Sequence, residues 1–300
     1  MPKVLVIVGP TASGKSALAV KMARKFNGEI ISADSRQVYK GLTIGTGKIT
    51  KKEMGGIPHH LLDVASPKKV FSAADFTKLG QAAIGDILSR GKLPIVCGGT
   101  GFYIDALLGR ISVPEVPPNE SLRRRLQKKA AAELHTMLTN LDPERAASID
   151  KQNPVRLIRA IEIAKKLGSV PPPRKDKSFW DVLWIGIEWP EEKLKKRIHE
   201  RLLTRMKQGM LSEAQRLHTK GLTWKRMREL GLEYRNLADL LEKKIARTQF
   251  LERLEIEITR YAKHQKHYWK RNTGICWIPA SRLSSVTKMV RDFLKASPRR

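Results

Sequence analysis

The sequence predicts an α/β protein, a doubly wound parallel sheet interrupted by an inserted helical domain. Three observations carry this reading. The apolar run Val4-Leu5-Val6-Ile7-Val8 leads straight into Gly9-Pro10-Thr11-Ala12-Ser13-Gly14-Lys15-Ser16, a complete G-x-x-x-x-G-K-[ST] loop, and helical spacing follows at Leu18, Ala19, Met22 and Phe26. Strand-like and helical runs then alternate, with glycines or an acid at the carboxyl ends of the strands, where ligands of such sheets bind. Prolines at 114, 117, 118 and 171–173 bracket a stretch of different character. Together these describe a P-loop NTPase-like core with an insert.

Each element has its own signal. The second strand, Glu29–Ala33, ends at Asp34-Ser35-Arg36-Gln37, and residues 41–56 read as a loop rich in glycine and lysine. A helix spans 72–89: Ser72 suits its N-cap, Asp75 its first turn, and Gly91 follows its end. A third strand, Leu93–Cys97, runs into Gly98-Gly99-Thr100-Gly101 and a further helix. Residues 119–167 are helical and polar, with Arg123, Arg124, Arg125, Lys128 and Lys129 clustered on one predicted helix. The buried pattern of Val182–Ile187 returns to the sheet, so the core comprises 1–113 and 180–300 and the insert 114–179. Basic helices fill 191–220 and 247–271, a last strand 275–279 and a last helix 286–294, with a frayed tail at 297–300.

Composition narrows the classes of function. Fifty-eight Lys and Arg against 29 Asp and Glu give a net charge of +29, which calls for a polyanionic partner, nucleic acid first. Cys97 and Cys276 stand alone, without the spacing of a zinc site or a disulfide framework. No apolar stretch is long enough for a membrane span and the N-terminal run is too short for a signal peptide, so a cytoplasmic protein is expected.

The phosphate loop predicts a bound diphosphate or triphosphate, cradled by backbone N–H groups, the Lys15 ammonium and a helix N-terminus, with magnesium (Mg2+) on the Ser16 hydroxyl. A kinase or NTPase usually carries a magnesium-supporting acid after a second buried strand. Here Val96-Cys97 is followed by Gly98-Gly99-Thr100 instead. Asp34, at the tip of the second strand, is the acid available as a general base; holding the neighbouring backbone is an equal alternative for it. His59-His60 reads as loop rather than a metal pair. The rings of Tyr261, Tyr268 and Trp269 read as core, with the lysines between them facing phosphates.

The ordered set GPTASGKS, Asp34-Ser35-Arg36-Gln37-Val38-Tyr39, Gly45-Thr46-Gly47-Lys48, Gly98–Tyr103, Arg156–Arg159, Arg197–Arg201 with Met206 and Gly209, Gly231–Tyr234 and Arg260–Gln265 with Trp269 resembles the tRNA dimethylallyltransferases over nearly the whole chain. The resemblance implies transfer of a dimethylallyl group from dimethylallyl diphosphate to N6 of the adenosine 3′ of the tRNA anticodon. It implies that residues 9–16 hold the diphosphate, that Asp34 takes the amine proton, that Thr11 and Thr100 assist, and that Arg201 offsets the diphosphate charge. Asp34–Gln37 and Val155-Arg156-Leu157-Ile158-Arg159 match segments that touch the target nucleotide and its neighbours; Val155 stands where the family usually has Gln. The basic insert, Arg123 included, would grip the anticodon stem-loop, and the protein would act as a monomer. The rivals are a prenyltransferase using AMP, ADP or ATP, a small-molecule kinase, and a non-catalytic RNA-binding NTPase.

Overall fold

A computed structural model describes residues 1–172 and 179–297. Residue 173, which ends the proline run, and residues 298–300 of the tail lie outside them. In chain order the elements are β1 (Lys3–Val8), α1 (Lys15–Lys25), β2 (Gly28–Ala33), α2 (Lys51–Met54), β3 (His59–His60), α3 (Ala73–Ser89), β4 (Leu93–Gly98) and α4 (Gly101–Leu107). Then come α5 (Glu120–Leu126), α6 (Ala131–Leu141), α7 (Pro143–Ser148) and α8 (Pro154–Leu167). The chain ends with β5 (Asp181–Glu188), α9 (Glu191–Lys207), α10 (Met210–Thr219), α11 (Trp224–Glu229), α12 (Leu232–Leu241), α13 (Arg247–Lys270), β6 (Ile275–Pro279), a 3-10 segment and α14 (Val286–Lys295).

The strands form one parallel sheet in the order β3-β2-β4-β1-β5-β6. β1 lies in the middle because its residues are apolar on both faces, as a strand covered by helices on each side must be. Val4, Val6 and Val8 point to one face, with Phe76, Ile84 and Ile87 of α3 and Trp269 of α13. Leu5 and Ile7 point to the other, with Leu18 and Met22 of α1 and Val286 and Val290 of α14. The chain leaves β1 in one direction for β2 and β4 and later reaches β5 on its other side, so the sheet's switch point falls where the phosphate loop emerges.

The described chain divides into two compact units, Met1–Leu108 with Ser178–Arg300, and Gly109–Lys177. The smaller unit has its own core of Leu122, Leu126, Leu134, Leu138, Leu157 and Ile161. Asn119, Asp142 and Asn153 cap its helices through side-chain oxygens, and Pro143 and Pro154 open two of them. At its centre Glu162 is buried. Its carboxylate accepts from the Asn119 N–H at 2.6 Å and from Arg123 at 2.8 and 3.0 Å, and pairs with Arg159.

Several expectations change in detail. Residues 191–220 hold two helices, because Gly209 adopts φ +93° and ends the first. Lys128 and Lys129 lie beyond α5, which stops at Leu126. The loop at 41–56 contains α2, capped reciprocally by Thr50 and Glu53. Helices α11 and α12 are additional. His59 and His60 are not loop residues: they pair with Ile30 and Ile31 as an edge strand.

His60 belongs to a charge cluster around Glu29, which is buried and pairs with Arg90, Lys92 at 2.7 Å and His60 at 2.8 Å. The Arg90 guanidinium holds the Glu29 carboxyl well below the carboxylate range. A carboxyl depressed in the fold stabilises it above the unfolded value, about pH 4.3, and loses that contribution as pH falls through the folded value. Glu29→Gln should therefore lower stability by about 1–3 kcal/mol at neutral pH, by urea titration, with the deficit shrinking below about pH 4.3.

Candidate active site

The phosphate loop closes between β1 and α1. Gly9 is at φ +151°, and a Cβ there would meet Ser13 Oγ at 2.9 Å; Gly14 is at φ +91° and begins α1. The first turn of α1 leaves the N–H groups of Lys15, Ser16 and Ala17 without intrahelical partners. The loop's outward groups are taken up by distant side chains. Gln265 Oε1 accepts from the Thr11 N–H at 2.8 Å, Arg197 Nε donates to Ala12 O at 2.8 Å, and Trp189 Nε1 donates to Ser13 O at 2.9 Å. Arg197 also lies over the Trp189 ring, 4.5 Å from its centroid. Lys15 Nζ donates to Pro10 O at 3.1 Å. Ser16 is exposed at the rim.

A cleft of about 550 Å³ opens beside the loop, walled by Gly14, Lys15, Ser16, Gly47, Arg197 and Arg201, with Glu53 and Glu200 at its edge. Arg201 donates from Nη2 to Gly47 O at 2.9 Å. The loop carrying Gly47 is fixed by a third buried acid, Glu213 of α10. Its Oε2 accepts from the N–H groups of Thr43 at 3.1 Å and Ile44 at 2.8 Å; its Oε1 accepts from Gly45 N–H at 2.9 Å and Tyr234 Oη at 2.7 Å. Arg205 adds a bond to Gly45 O at 2.8 Å. α9 thus presents Arg197, Arg201 and Arg205 at helical spacing toward one loop system.

The strand ends β2 and β4 meet behind Lys15. Asp34 Oδ1 accepts from the N–H groups of Arg36 at 2.8 Å and Gln37 at 3.3 Å, while its Oδ2 has no hydrogen bond among the described residues. Thr100 Oγ1 accepts from Ser35 N–H at 3.0 Å. The two roles weighed for Asp34 are therefore compatible: one oxygen holds the turn and the other is available. Burial pushes the Lys15 ammonium down, and Asp34 and the Arg201 guanidinium lie within its electrostatic range with opposite effects. Burial also pushes the Cys97 thiol, beside Lys15, up to about 11, so the strand-end position that an NTPase gives to an acid holds a neutral group.

The smaller unit carries the remaining expected site residues. Arg123 and Arg159 are bound to Glu162, and Leu157 and Ile158 are core. The helical period turns Val155 and Arg156 outward, with Arg124, Arg125 and Lys128 also exposed. A groove of about 850 Å³ within this unit lies between Pro117, Arg125, Lys165 and Lys166 and shares no residue with the phosphate loop. Among the described residues no group of three or more His, Cys, Asp or Glu gathers as for a metal, and no helix is long and apolar enough to cross a membrane. Trp269 is core, and Tyr268 packs edge-on against it. Trp189, Arg197, Glu213 and Gln265 were not singled out by sequence reasoning as site residues. Their partners are distant in the chain; Arg197 and Gln265 fall within the motifs that carry the family resemblance, but nothing local in the sequence gives their bonding roles.

A phosphate loop at the switch point of a parallel sheet, with an acid at the neighbouring strand end and arginines across a cleft, defines a P-loop-type α/β protein. The IPP transferase family matches residues 37–272, and the chain belongs to that family. It is 43% identical over 271 residues to tRNA dimethylallyltransferase 2 of Citrifermentans bemidjiense, covering 90% of this chain and 87% of the relative. Its fold is similar to the tRNA isopentenylpyrophosphate transferase of Bacillus halodurans, with TM-score 0.75, 32% identity, and 98% and 97% of the two chains covered. It is also similar to a eukaryotic dimethylallyltransferase acting on tRNA, with TM-score 0.82, 26% identity, and 99% and 82% covered.

The depressed Lys15 ammonium gives the cleft a pH signature. A bound diphosphate favours the charged form, so its affinity is full below the free-state value of Lys15 and falls as pH rises through it, short of the ordinary value near 10.4. Titration with inorganic diphosphate should show this fall. Lys15→Arg, whose guanidinium stays charged, should show a flatter curve; identical curves would remove Lys15 from the anion site.

Proposed function

We propose that the protein transfers the dimethylallyl group of dimethylallyl diphosphate to N6 of the adenosine just 3′ of the tRNA anticodon, giving N6-isopentenyladenosine. The observation that carries this reading is the free Oδ2 of Asp34 within electrostatic reach of Lys15 and Arg201. An acceptor for a proton stands next to a cradle for a leaving diphosphate. The names of the relatives support the same reaction.

The exocyclic amine of adenine is a weak nucleophile, because its lone pair is delocalised into the ring. Its protons become acidic as the C–N bond forms, and Asp34 Oδ2 takes one. The departing diphosphate gains charge in the same step. Loop N–H groups, Lys15 and Arg201 meet that charge, and bind it more tightly in the transition state than in the ground state. The hydroxyls of Thr11 and Thr100 would assist, and Thr100 Oγ1 also fixes the turn after Asp34 through Ser35 N–H. The exposed Ser16 hydroxyl would hold magnesium, which when bound would neutralise part of the leaving charge.

The reaction needs the base out of its stack, and the surrounding phosphates need cations. The half-buried turn Asp34–Gln37 would receive the base. The exposed Val155, Arg156, Arg124, Arg125 and Lys128 would meet the anticodon stem-loop, with Arg123 and Arg159 holding the unit's frame through Glu162.

One assay tests the reading: dimethylallyl diphosphate is offered with tRNA, with AMP, and with no acceptor, and the nucleosides are analysed. Product on tRNA alone is expected, and it should vanish with EDTA. Product on AMP would favour the adenylate-using rival. Asp34→Asn should lower single-turnover transfer by about two to four orders of magnitude with tRNA binding nearly unchanged. Neutralising Arg124, Arg125 and Lys128 together should weaken tRNA binding and flatten its salt dependence. The slope of log affinity against log salt should fall by about 0.7–0.9 for each phosphate that no longer meets a cation, with the chemical step at saturation unchanged. A filter-binding titration at several salt concentrations measures it.

A further inference from the structure

Gln265 lies on α13, a helix whose exposed side is strongly basic, yet its own side chain is buried. Its amide joins two separate elements of the site. Oε1 accepts from the Thr11 N–H of the phosphate loop at 2.8 Å, and Nε2 donates to Gly99 O, in the turn after β4, at 3.0 Å. That turn is shaped around the amide: a Cβ on Gly99 would collide with Gln265 Nε2. The next residue, Thr100, accepts from Ser35 N–H, and Asp34 in turn holds the N–H groups of Arg36 and Gln37. A bonded path therefore runs from the phosphate loop, through one buried amide, to the turn that carries the carboxylate. The amide has one acceptor and one donor at fixed separation, which neither an apolar side chain nor an ionised carboxylate can reproduce.

We propose that Gln265 is a positioning residue that fastens the phosphate loop to the Gly99-Thr100 turn and so sets the distance between the departing diphosphate and the Asp34 carboxylate. It touches neither substrate. Its effect is geometric: a displacement of about 1 Å between reacting groups can cost about a hundredfold in rate. This inference rests on the transfer reaction proposed above for the same site.

The test uses Gln265→Leu and Gln265→Glu in the full chain. At neutral pH both should lose about 10- to 100-fold in kcat, with KM for dimethylallyl diphosphate and Kd for tRNA little changed. A protonated carboxyl can replace the amide, because its O–H donates to Gly99 O and its carbonyl accepts from Thr11 N–H; the ionised form offers Gly99 O no donor. Burial raises the pKa of that carboxyl above its ordinary value near 4.3, so kcat of the Glu variant, relative to wild type, should recover as pH falls. The Leu variant should show no recovery. Undiminished kcat in the Leu variant, a loss that appears in KM alone, or parallel pH profiles for the two variants would overturn the proposal. Amide exchange at Thr11 gives a readout apart from the reaction: it should be slow in wild type and fast in the Leu variant, and equal protection would also overturn it. Wild-type protein that transfers nothing to tRNA would instead sink the functional reading, leaving the clamp to be judged by Thr11 exchange.

Discussion

A loop that turns its N–H groups toward an anion turns its carbonyls away from it, and those carbonyls need donors. This constraint organises the larger unit. Ala12 O is met by Arg197, Ser13 O by Trp189 and Pro10 O by Lys15. Trp189 follows β5 directly and Arg197 lies on α9, so the return of the chain to the sheet after the insert is what completes the loop. The binding geometry of residues near the start of the chain is thus set by residues far along it.

Three buried acids do for the rest of the fold what those donors do for the loop. Glu29 gathers Arg90, Lys92 and His60 at the sheet edge; Glu162 gathers Arg123, Arg159 and the Asn119 N–H; Glu213 gathers three successive N–H groups and Tyr234. Each places a charge in a low-dielectric setting and surrounds it with donors, the condition under which such burial is tolerated. Part of the cationic excess is therefore structural. Arg123 and Arg159 contribute to the net charge but face inward, whereas Arg124, Arg125 and Lys128 are exposed to any approaching polyanion.

The sheet and the phosphate loop were legible in the sequence because their signals are local. An apolar run, a glycine-lysine loop and a helical period lie within two dozen residues, and Ser72 with Asp75 announces α3 through one capping box. Asp34 was legible as a strand-tip acid, but its division of labour between two oxygens was not, since that depends on how the turn folds back. Gln265 and Arg197 were visible only as members of family motifs; their bonds to the phosphate loop were hidden because those partners lie far away in the chain. α11 and α12 escaped notice because short helices behind Gly221 and Gly231 give little period to read. The two-residue β3 has no pattern of its own; it exists because β2 offers an open edge.

The two cysteines are set in opposite environments: Cys97 is sealed beneath the phosphate loop and Cys276 is exposed on β6. At neutral pH the first remains a buried thiol, and neither oxidants nor electrophiles reach it while the sheet is intact. The protein consequently carries a natural single-site handle. A maleimide dye added to the native chain would mark β6 alone, and a second equivalent would be consumed only on unfolding, so thiol stoichiometry reports the integrity of the sheet beneath the phosphate loop.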